Sequence, residues 1–424
     1  MTARDLAVSI PSTRGVGSAR GRSHWPLSLT IALLPFTYVP HEIVRIDLKV
    51  SYVQLAMVVT AGLLYGAFRG RLRALEVVAI LLGAWALSRL LLISYLDTGV
   101  PEVGKALREG SILVTALVHY RLASRPELRP AVLRGLVAAL CLMLTMEAYQ
   151  LTVGLDTLLA LGYESPDFNY NTADGGYRPF GTMQSPVVFG TYLAMVGLVV
   201  TLGTRRWVAA AAFVATSVGI ALTQTRSALI AFAVGLGVAL LMQPKPARGG
   251  KLLLAVPVLW ATALAAVLRP ELFSSLFARL GSVTDTTDTS GAVRLDLWAG
   301  TLRAAAGRPV DGYGATEFAL TMQRYVGALS EYGHPHNTYL QVLYLYGVVG
   351  MALFIAVIVL ALHPGHAGLP ADRVRIAAVA AVLAYAIGAF FEATWTSFNM
   401  IATLFIVAGL SAGTAYPQEK SFRT

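Results

Sequence analysis

Long apolar runs, broken by short segments rich in arginine, proline or glycine, set the rhythm of this chain. A helix needs about 20 predominantly apolar residues to cross a bilayer. Windows of that length give about 12 candidate spans, near residues 26–43, 50–68, 74–94, 106–120, 131–153, 183–203, 207–222, 226–242, 252–268, 338–362, 376–390 and 399–415. The pattern lapses twice at length, over about 154–182 and over a polar stretch between the ninth and tenth spans, 269–336. The expected architecture is an all-α polytopic membrane protein. A polar N-terminus (1–25) precedes one transmembrane domain (26–415), and a short tail (416–424) follows it.

Composition agrees. The 424 residues are 56% hydrophobic and 13% charged, with mean hydropathy +0.64, whereas soluble domains hold about 25% charged residues. The net charge of +10 would suit a nucleic-acid partner if it formed a stripe with exposed aromatics. Instead the basic residues sit in small clusters between apolar runs, the pattern of positive-inside loops. With the N-terminus inside, roughly 20 of the 33 Lys and Arg fall on inner segments. Both termini are then cytoplasmic, and 154–182 and 269–336 face outward. Arg20 and Arg22 before the first apolar run look like a signal-peptide start, but no small-x-small cleavage site follows, so the run reads as an uncleaved first span. Cys141 is the single cysteine, which excludes an intrachain disulfide and leaves packing as its role.

Candidate chemistry concentrates where the long polar stretch turns into the tenth span, HPHNTYLQVLYLYGVVG, residues 334–350. Pro335 stops a helix entering from upstream, and Asn337 suits an N-cap, so a helix is expected to start here. At about 100° per residue His336, Leu340, Leu343, Gly347 and Gly350 fall in one stripe. The glycines would let a neighbouring helix come close. A helix N-terminus disfavours imidazolium, so His336 is expected to be neutral and able to accept a proton. His334 and His336 also offer a His-x-His pair to zinc, but with no paired His or Cys elsewhere on the outer side a metal site is not expected.

His336-Asn337, nine residues, Gly347, two residues, Gly350 resembles the signature of the O-antigen ligase and O-antigen polymerase family. The resemblance implies a membrane glycosyltransferase of GT-C-like fold, using glycans linked to undecaprenyl diphosphate, with a large periplasmic loop containing short helices between spans nine and ten. It implies His336 as catalytic base, with Asn337, Gly347 and Gly350 supporting it. Three further segments agree in order with the family: the loop GGYRPFG with Arg178, TQTRSA with Arg226, and Arg294 followed by the turn Pro309–Gly314. Arg178, Arg226 and Arg294 are then expected to bind the donor diphosphate.

The residues support this independently in part. Arg226 follows an apolar run with almost no polar loop; a guanidinium there either snorkels to the interface or serves an anion in a cavity. Val293, Leu297, Trp298 and Leu302 suggest an amphipathic helix along the membrane surface with Arg294 near its start. Arg303 and Arg308 are expected to be solvated or to face headgroups, and Asp285, Asp288, Asp296, Asp311, Glu317 and Glu331 are available as partners. Glu392 and Trp395 suit an interfacial anchor belt, although Glu392 at a cavity is the other reading. Arginine forks hold phosphate oxygens bidentately, and a neutral histidine can take the acceptor's proton. No Asp-x-Asp motif occurs, which agrees with a metal-independent, inverting transfer needing no cofactor.

The expected function is transfer of a glycan to an acceptor hydroxyl, such as that of a lipid A–core sugar, at the outer face of the cytoplasmic membrane. The alternatives are a polymerase of the same family, or ligation to a protein or a wall polymer. A lipid-linked glycan transporter is the reading from another class; it predicts repeats and midplane-interrupted spans, and no repeat is found.

Overall fold

The computed structural model describes residues 24–36, 50–160, 177–183, 185–243, 289–314, 316–363 and 372–413. The ninth expected span (252–268), the first part of the long polar stretch (269–288), most of the N-terminal segment and the C-terminal tail lie outside the described residues. Thirteen α-helices are described, in chain order α1 (Trp25–Leu33), α2 (Val50–Leu64), α3 (Ala74–Thr98), α4 (Val103–Ala123), α5 (Arg129–Ala160), α6 (Pro186–Gly203), α7 (Arg206–Leu222), α8 (Arg226–Met242), α9 (Thr289–Gly307), α10 (Phe318–Val326), α11 (Thr338–Leu362), α12 (Arg373–Gly388) and α13 (Phe398–Ala412). No strand is present among the described residues.

Four helical stretches are long and apolar enough to cross a membrane on length and composition alone: Ala74–Asp97, Pro126–Leu158, Pro186–Gly203 and Thr338–Leu362. Four shorter apolar helices accompany them. Burial separates an inner from an outer set. α6, α12 and α13 are buried along nearly their whole length, so a continuous apolar run there is core. α2, α3 and α8 instead expose Leu63, Leu64, Leu81, Leu96 and Leu241. Such an apolar outer surface would aggregate in water and is what a lipid-facing helix presents.

Local signals start the helices where the sequence permits. Ser185 caps α6 by accepting from the Val188 N–H at 3.2 Å with Pro186 following, and Asp372 caps α12 through the Arg375 N–H at 2.8 Å. Each such cap is worth about 1 kcal/mol. α5 breaks at Gly154 (φ 76°), where the fifth expected span ends.

The bundle has two chemically different ends. At one, arginines tie helix termini together: Arg121 pairs with Glu76 and donates to Ala67 O, and Arg129 pairs with Asp372 at 2.6 Å and donates to Gly413 O at 2.7 Å. At the other end lie the starts of α6, α8, α11 and α13 and the close of α12. A small separate core of Leu297, Ala304, Phe318, Met322 and Tyr344 seats α9 and α10 on α11 there. This cap covers the candidate site.

The amphipathic face expected of α9 is only partly right. Leu297 is fully buried against α10, but Leu302 is 53% exposed. Gly300, Thr301 and Ala304 complete the buried side, and Gly300 faces Val326 and Met322. Leu302 lies on the open side because the inner stripe is built of small residues that carry little hydropathy signal.

Candidate active site

The start of α11 carries the first cluster. Asn337 accepts from the Leu340 N–H at 3.1 Å and is the N-cap, as expected. His336 stands before the helix rather than in its stripe. Its φ of 47° places it in the left-handed region, unusual for a residue with a side chain. The imidazole is therefore aimed by a strained turn and not by helical periodicity. It is 4% exposed and its Nδ1 lies 3.3 Å from Glu392 Oε1.

Glu392 comes from the loop between α12 and α13, and several bonds fix that loop to α11. Thr338 N–H donates to Ala389 O at 2.7 Å, Thr338 Oγ1 donates to Glu392 O at 2.6 Å, and Thr394 N–H donates back to Thr338 Oγ1 at 2.8 Å. Trp395 Nε1–H donates to Tyr346 Oη at 3.3 Å, and Arg108 Nη2 donates to Thr396 O at 2.9 Å. Glu392 and Trp395 are thus buried in the protein and not an interfacial belt. Burial opposes ionisation of Glu392. The His336 hydrogen bond, the attraction of His336 and His334 when protonated, and the Ala393 N–H outweigh it and hold the carboxyl at about 2. An ionised Glu392 accepting from Nδ1–H selects the imidazole tautomer whose basic lone pair is on Nε2.

α9 touches the segments that carry both halves of this pair. Trp298 Nε1–H donates to Pro335 O at 2.9 Å, and its ring meets Phe390 edge-on at 5.2 Å. Arg294 lies one helical turn before Trp298 on α9 and is half-buried. A cavity of about 260 Å³ opens beside His334 and Pro335, lined also by Lys105, Arg108, Glu317, Gln341 and Thr396.

The second cluster joins Arg178 to the turn before α8. Arg178 is buried; its Nε donates to Thr223 O at 2.9 Å and its Nη2 to Thr225 Oγ1 at 3.1 Å. Gln150 holds the Arg178 loop from α5, accepting from Phe180 N–H and Gly181 N–H and donating to Gly181 O. Between the two threonines Gln224 has φ 52°. His336 and Gln224 are the two non-glycine residues with positive φ among the described residues, one in each cluster, and strained backbone of this kind gathers at functional sites. Arg226 follows directly as the first residue of α8 and is half-buried.

A short chain of contacts connects the clusters. A Cβ placed on Gly190 of α6 would touch Thr225 and Ala228, and one on Gly388 of α12 would touch Thr191. Ala389 then bonds to Thr338. Arg178, Arg226 and His336 thus lie at one end of the bundle, in two clusters bridged by Gly190 and Thr191 of α6, and α9, which carries Arg294, is seated at the same end.

The two motif glycines do not extend a helical face. α11 is interrupted at Gly347, whose φ of 65° and ψ of −168° are non-helical. What comes close at Gly347 is a turn, not a helix. Val348 N–H donates to Pro309 O at 2.8 Å, and Tyr313 N–H and Gly314 N–H donate to Tyr344 O and Leu345 O, each at 2.8 Å. A side chain at Gly347 would fall on the Val310 carbonyl, and one at Gly312 would fall on the backbone of Leu345 and Gly347. Trp85 of α3 takes up the Tyr346 carbonyl at 2.9 Å, and a Cβ on Gly350 would press on the Tyr346 side chain with Trp85 beyond it. The Pro309–Gly314 turn and the Gly347 break are therefore one docking device that locks the cap to α11.

Arg308, expected to be solvated, is tethered to the same region, and so is Arg89. Arg308 grips Asp97 at the end of α3 with two bonds of 3.0 and 3.2 Å and lies over the Tyr313 ring. Arg89 of α3 lies 4.0 Å from Asp311 and over Trp85. Arg303 is exposed, as expected.

The sequence around Glu392 does not show its partner. The residue is 56 positions from His336, and no local spacing joins them. It also supplies the third ligand atom that the His-x-His pair lacked: one donor atom each of His334, His336 and Glu392 lies within 4.8 Å of the others.

A family model described as O-antigen ligase matches residues 211–355, about a third of the chain. The match takes in Arg226, Arg294 and the run from His336 to Gly350. Arg178 and Glu392 lie outside it. No curated protein matches the chain.

Proposed function

We propose, supported by the match over residues 211–355, that the chain is a member of the O-antigen ligase and polymerase family and an integral-membrane glycosyltransferase of ligase type. In this reading it moves a glycan from undecaprenyl diphosphate to an acceptor hydroxyl, such as one on a lipid A–core sugar. The observation that carries the reading is the buried His336–Glu392 pair at the mouth of α11, inside the docked cap.

His336 Nε2 takes the acceptor O–H proton as the new C–O bond forms at the anomeric carbon. The bond from that carbon to the diphosphate breaks, and its electron pair leaves with the diphosphate. Glu392 holds the imidazole in the receptive tautomer and faces the imidazolium that results. General-base help of this kind is worth about 10²–10⁴-fold. Arg226 and Arg294 bind the diphosphate oxygens, and their charge persists at any working pH. Arg178 acts through the Thr223–Thr225 turn that presents Arg226. Attack opposite the diphosphate inverts the anomeric centre, and no step needs a metal. The acceptor sugar enters by the cavity next to His334.

The chain then has about 12 spans in the cytoplasmic membrane, with both termini cytoplasmic and the arginine-tied bundle end inside. The site end faces the periplasm. The deciding experiment uses purified protein in detergent, an undecaprenyl-diphosphate glycan and EDTA, with and without a lipid A–core acceptor, beside His336→Ala. One acceptor-dependent product, lost in His336→Ala, supports the ligase. A ladder growing without added acceptor means a polymerase, and no transfer despite bound donor favours a transporter.

A further inference from the structure

Three potential metal ligands converge at the base itself. His334 and His336 sit two residues apart before α11, and Glu392 arrives from the distant loop. His336 Nδ1 is 3.3 Å and His334 Nδ1 4.0 Å from Glu392 Oε1. Tetrahedral zinc holds its ligands at about 2.0–2.2 Å, which separates neighbouring ligand atoms by about 3.3–3.5 Å. The His336–Glu392 pair already has that separation, and His334, whose ligand atom lies within 4.8 Å of the other two, needs to close by less than about 1.5 Å. His334 has room to do so, because its side chain is 29% exposed while the other two are nearly closed off. Its Nδ1 accepts a long bond, 3.3 Å, from the His336 N–H. Two imidazoles and one carboxylate suit zinc-like transition metals; magnesium and calcium demand more oxygens.

We infer that His334, His336 and Glu392 form a zinc-type site whose occupation switches the transferase off, an inference that rests on His336 being the base. The cation would take the lone pair of His336 Nδ1, so the imidazole's remaining proton must sit on Nε2. No proton is gained or lost by the ring in this exchange, and Glu392 enters as a carboxylate. The acceptor proton then has no basic nitrogen to go to. Zinc is accordingly an inhibitor bound at the catalytic pair and takes no part in the reaction.

The test uses the full-length protein in detergent, stripped with EDTA and titrated with zinc chloride against a fluorescent zinc chelator. One equivalent is expected to bind wild type, with His334→Ala and Glu392→Gln each weakening it at least about tenfold; magnesium chloride is expected not to compete. In transfer assays zinc is expected to inhibit wild type and EDTA to restore it. His334→Ala, with each protein compared with its own zinc-free rate, is expected to need at least about tenfold more zinc for inhibition than wild type. His334→Asn, with its melting temperature checked against wild type, guards against a folding defect. Equal zinc binding by wild type and His334→Ala, or equal inhibition of both, overturns the inference. Loss of wild-type transfer in EDTA overturns it too, since the metal would then serve the reaction. If wild type transfers no glycan at all, the transferase reading fails, and the chelator titration still decides whether the site exists.

Discussion

Glu392 Oε1 lies 3.3 Å from His336 Nδ1, and neither side chain is more than 6% exposed. A carboxylate so placed decides which imidazole nitrogen carries the proton. Glu392→Gln keeps the shape and removes the charge, so it is expected to lower kcat by about 10–10²-fold with little change in KM. His336→Ala is expected to lose about 10²–10⁴-fold. Initial rates at saturating donor separate the two effects. A KM rise with unchanged kcat in Glu392→Gln would show that the carboxylate binds substrate and does not orient the base.

How far the sequence reveals this pair depends on how local each signal is. Asn337 as N-cap is legible because Pro335, the cap and the apolar run lie within a few residues of one another. The break at Gly347 is not. Glycine in an apolar run at helical spacing reads as a packing position, and only the turn at Pro309–Gly314, over thirty residues away, forces its left-handed backbone. His336 likewise reads as part of the helical stripe, since nothing local signals φ 47°. Arg308 reads as solvated because its partner, Asp97, is 211 positions away. Hydropathy places the helices; the contacts between distant loops that build the site have no periodicity to announce them.

The Gly347 break makes an unequal pair of glycines. Gly347→Ala puts a Cβ onto the Val310 carbonyl at a positive φ, and backbone cannot step aside as a side-chain tip can. A loss of about 2–4 kcal/mol is expected from strain and lost docking bonds together. Gly237 of α8 is open, with nothing within 4 Å of an added Cβ. Gly237→Ala is expected to be neutral or to stabilise by up to about 1 kcal/mol. Melting in detergent, followed by tryptophan fluorescence, compares the two; equal shifts would mean that the cap is not docked on Gly347.

Trp298 gives a graded test of the cap's hold on the site. Trp298→Phe removes the bond to Pro335 O and keeps most of the contact with Phe390, at a cost of about 0.5–1.5 kcal/mol. Trp298→Ala removes both contacts. Transfer is expected to fall by about 2–10-fold in the first and further in the second, since His336 and Glu392 lose their common lid. Unchanged rates in Trp298→Ala would mean that α9 does not order the pair.

Arg178 separates direct binding from positioning. Its guanidinium spans Thr223 O and Thr225 Oγ1, a fork that a lysine ammonium does not reproduce. If Arg178 works by shaping the turn before Arg226, Arg178→Lys and Thr225→Val damage the same element. Each is expected to raise the donor KM by about 5–30-fold, and the double variant to cost less than the two effects added, with a coupling of about 0.5–2 kcal/mol. An arginine that grips the diphosphate itself predicts another pattern. Arg178→Lys would then be severe, Thr225→Val mild, and the two additive. The cycle is read from donor KM in the four proteins, and additivity within about 0.3 kcal/mol would return Arg178 to the diphosphate.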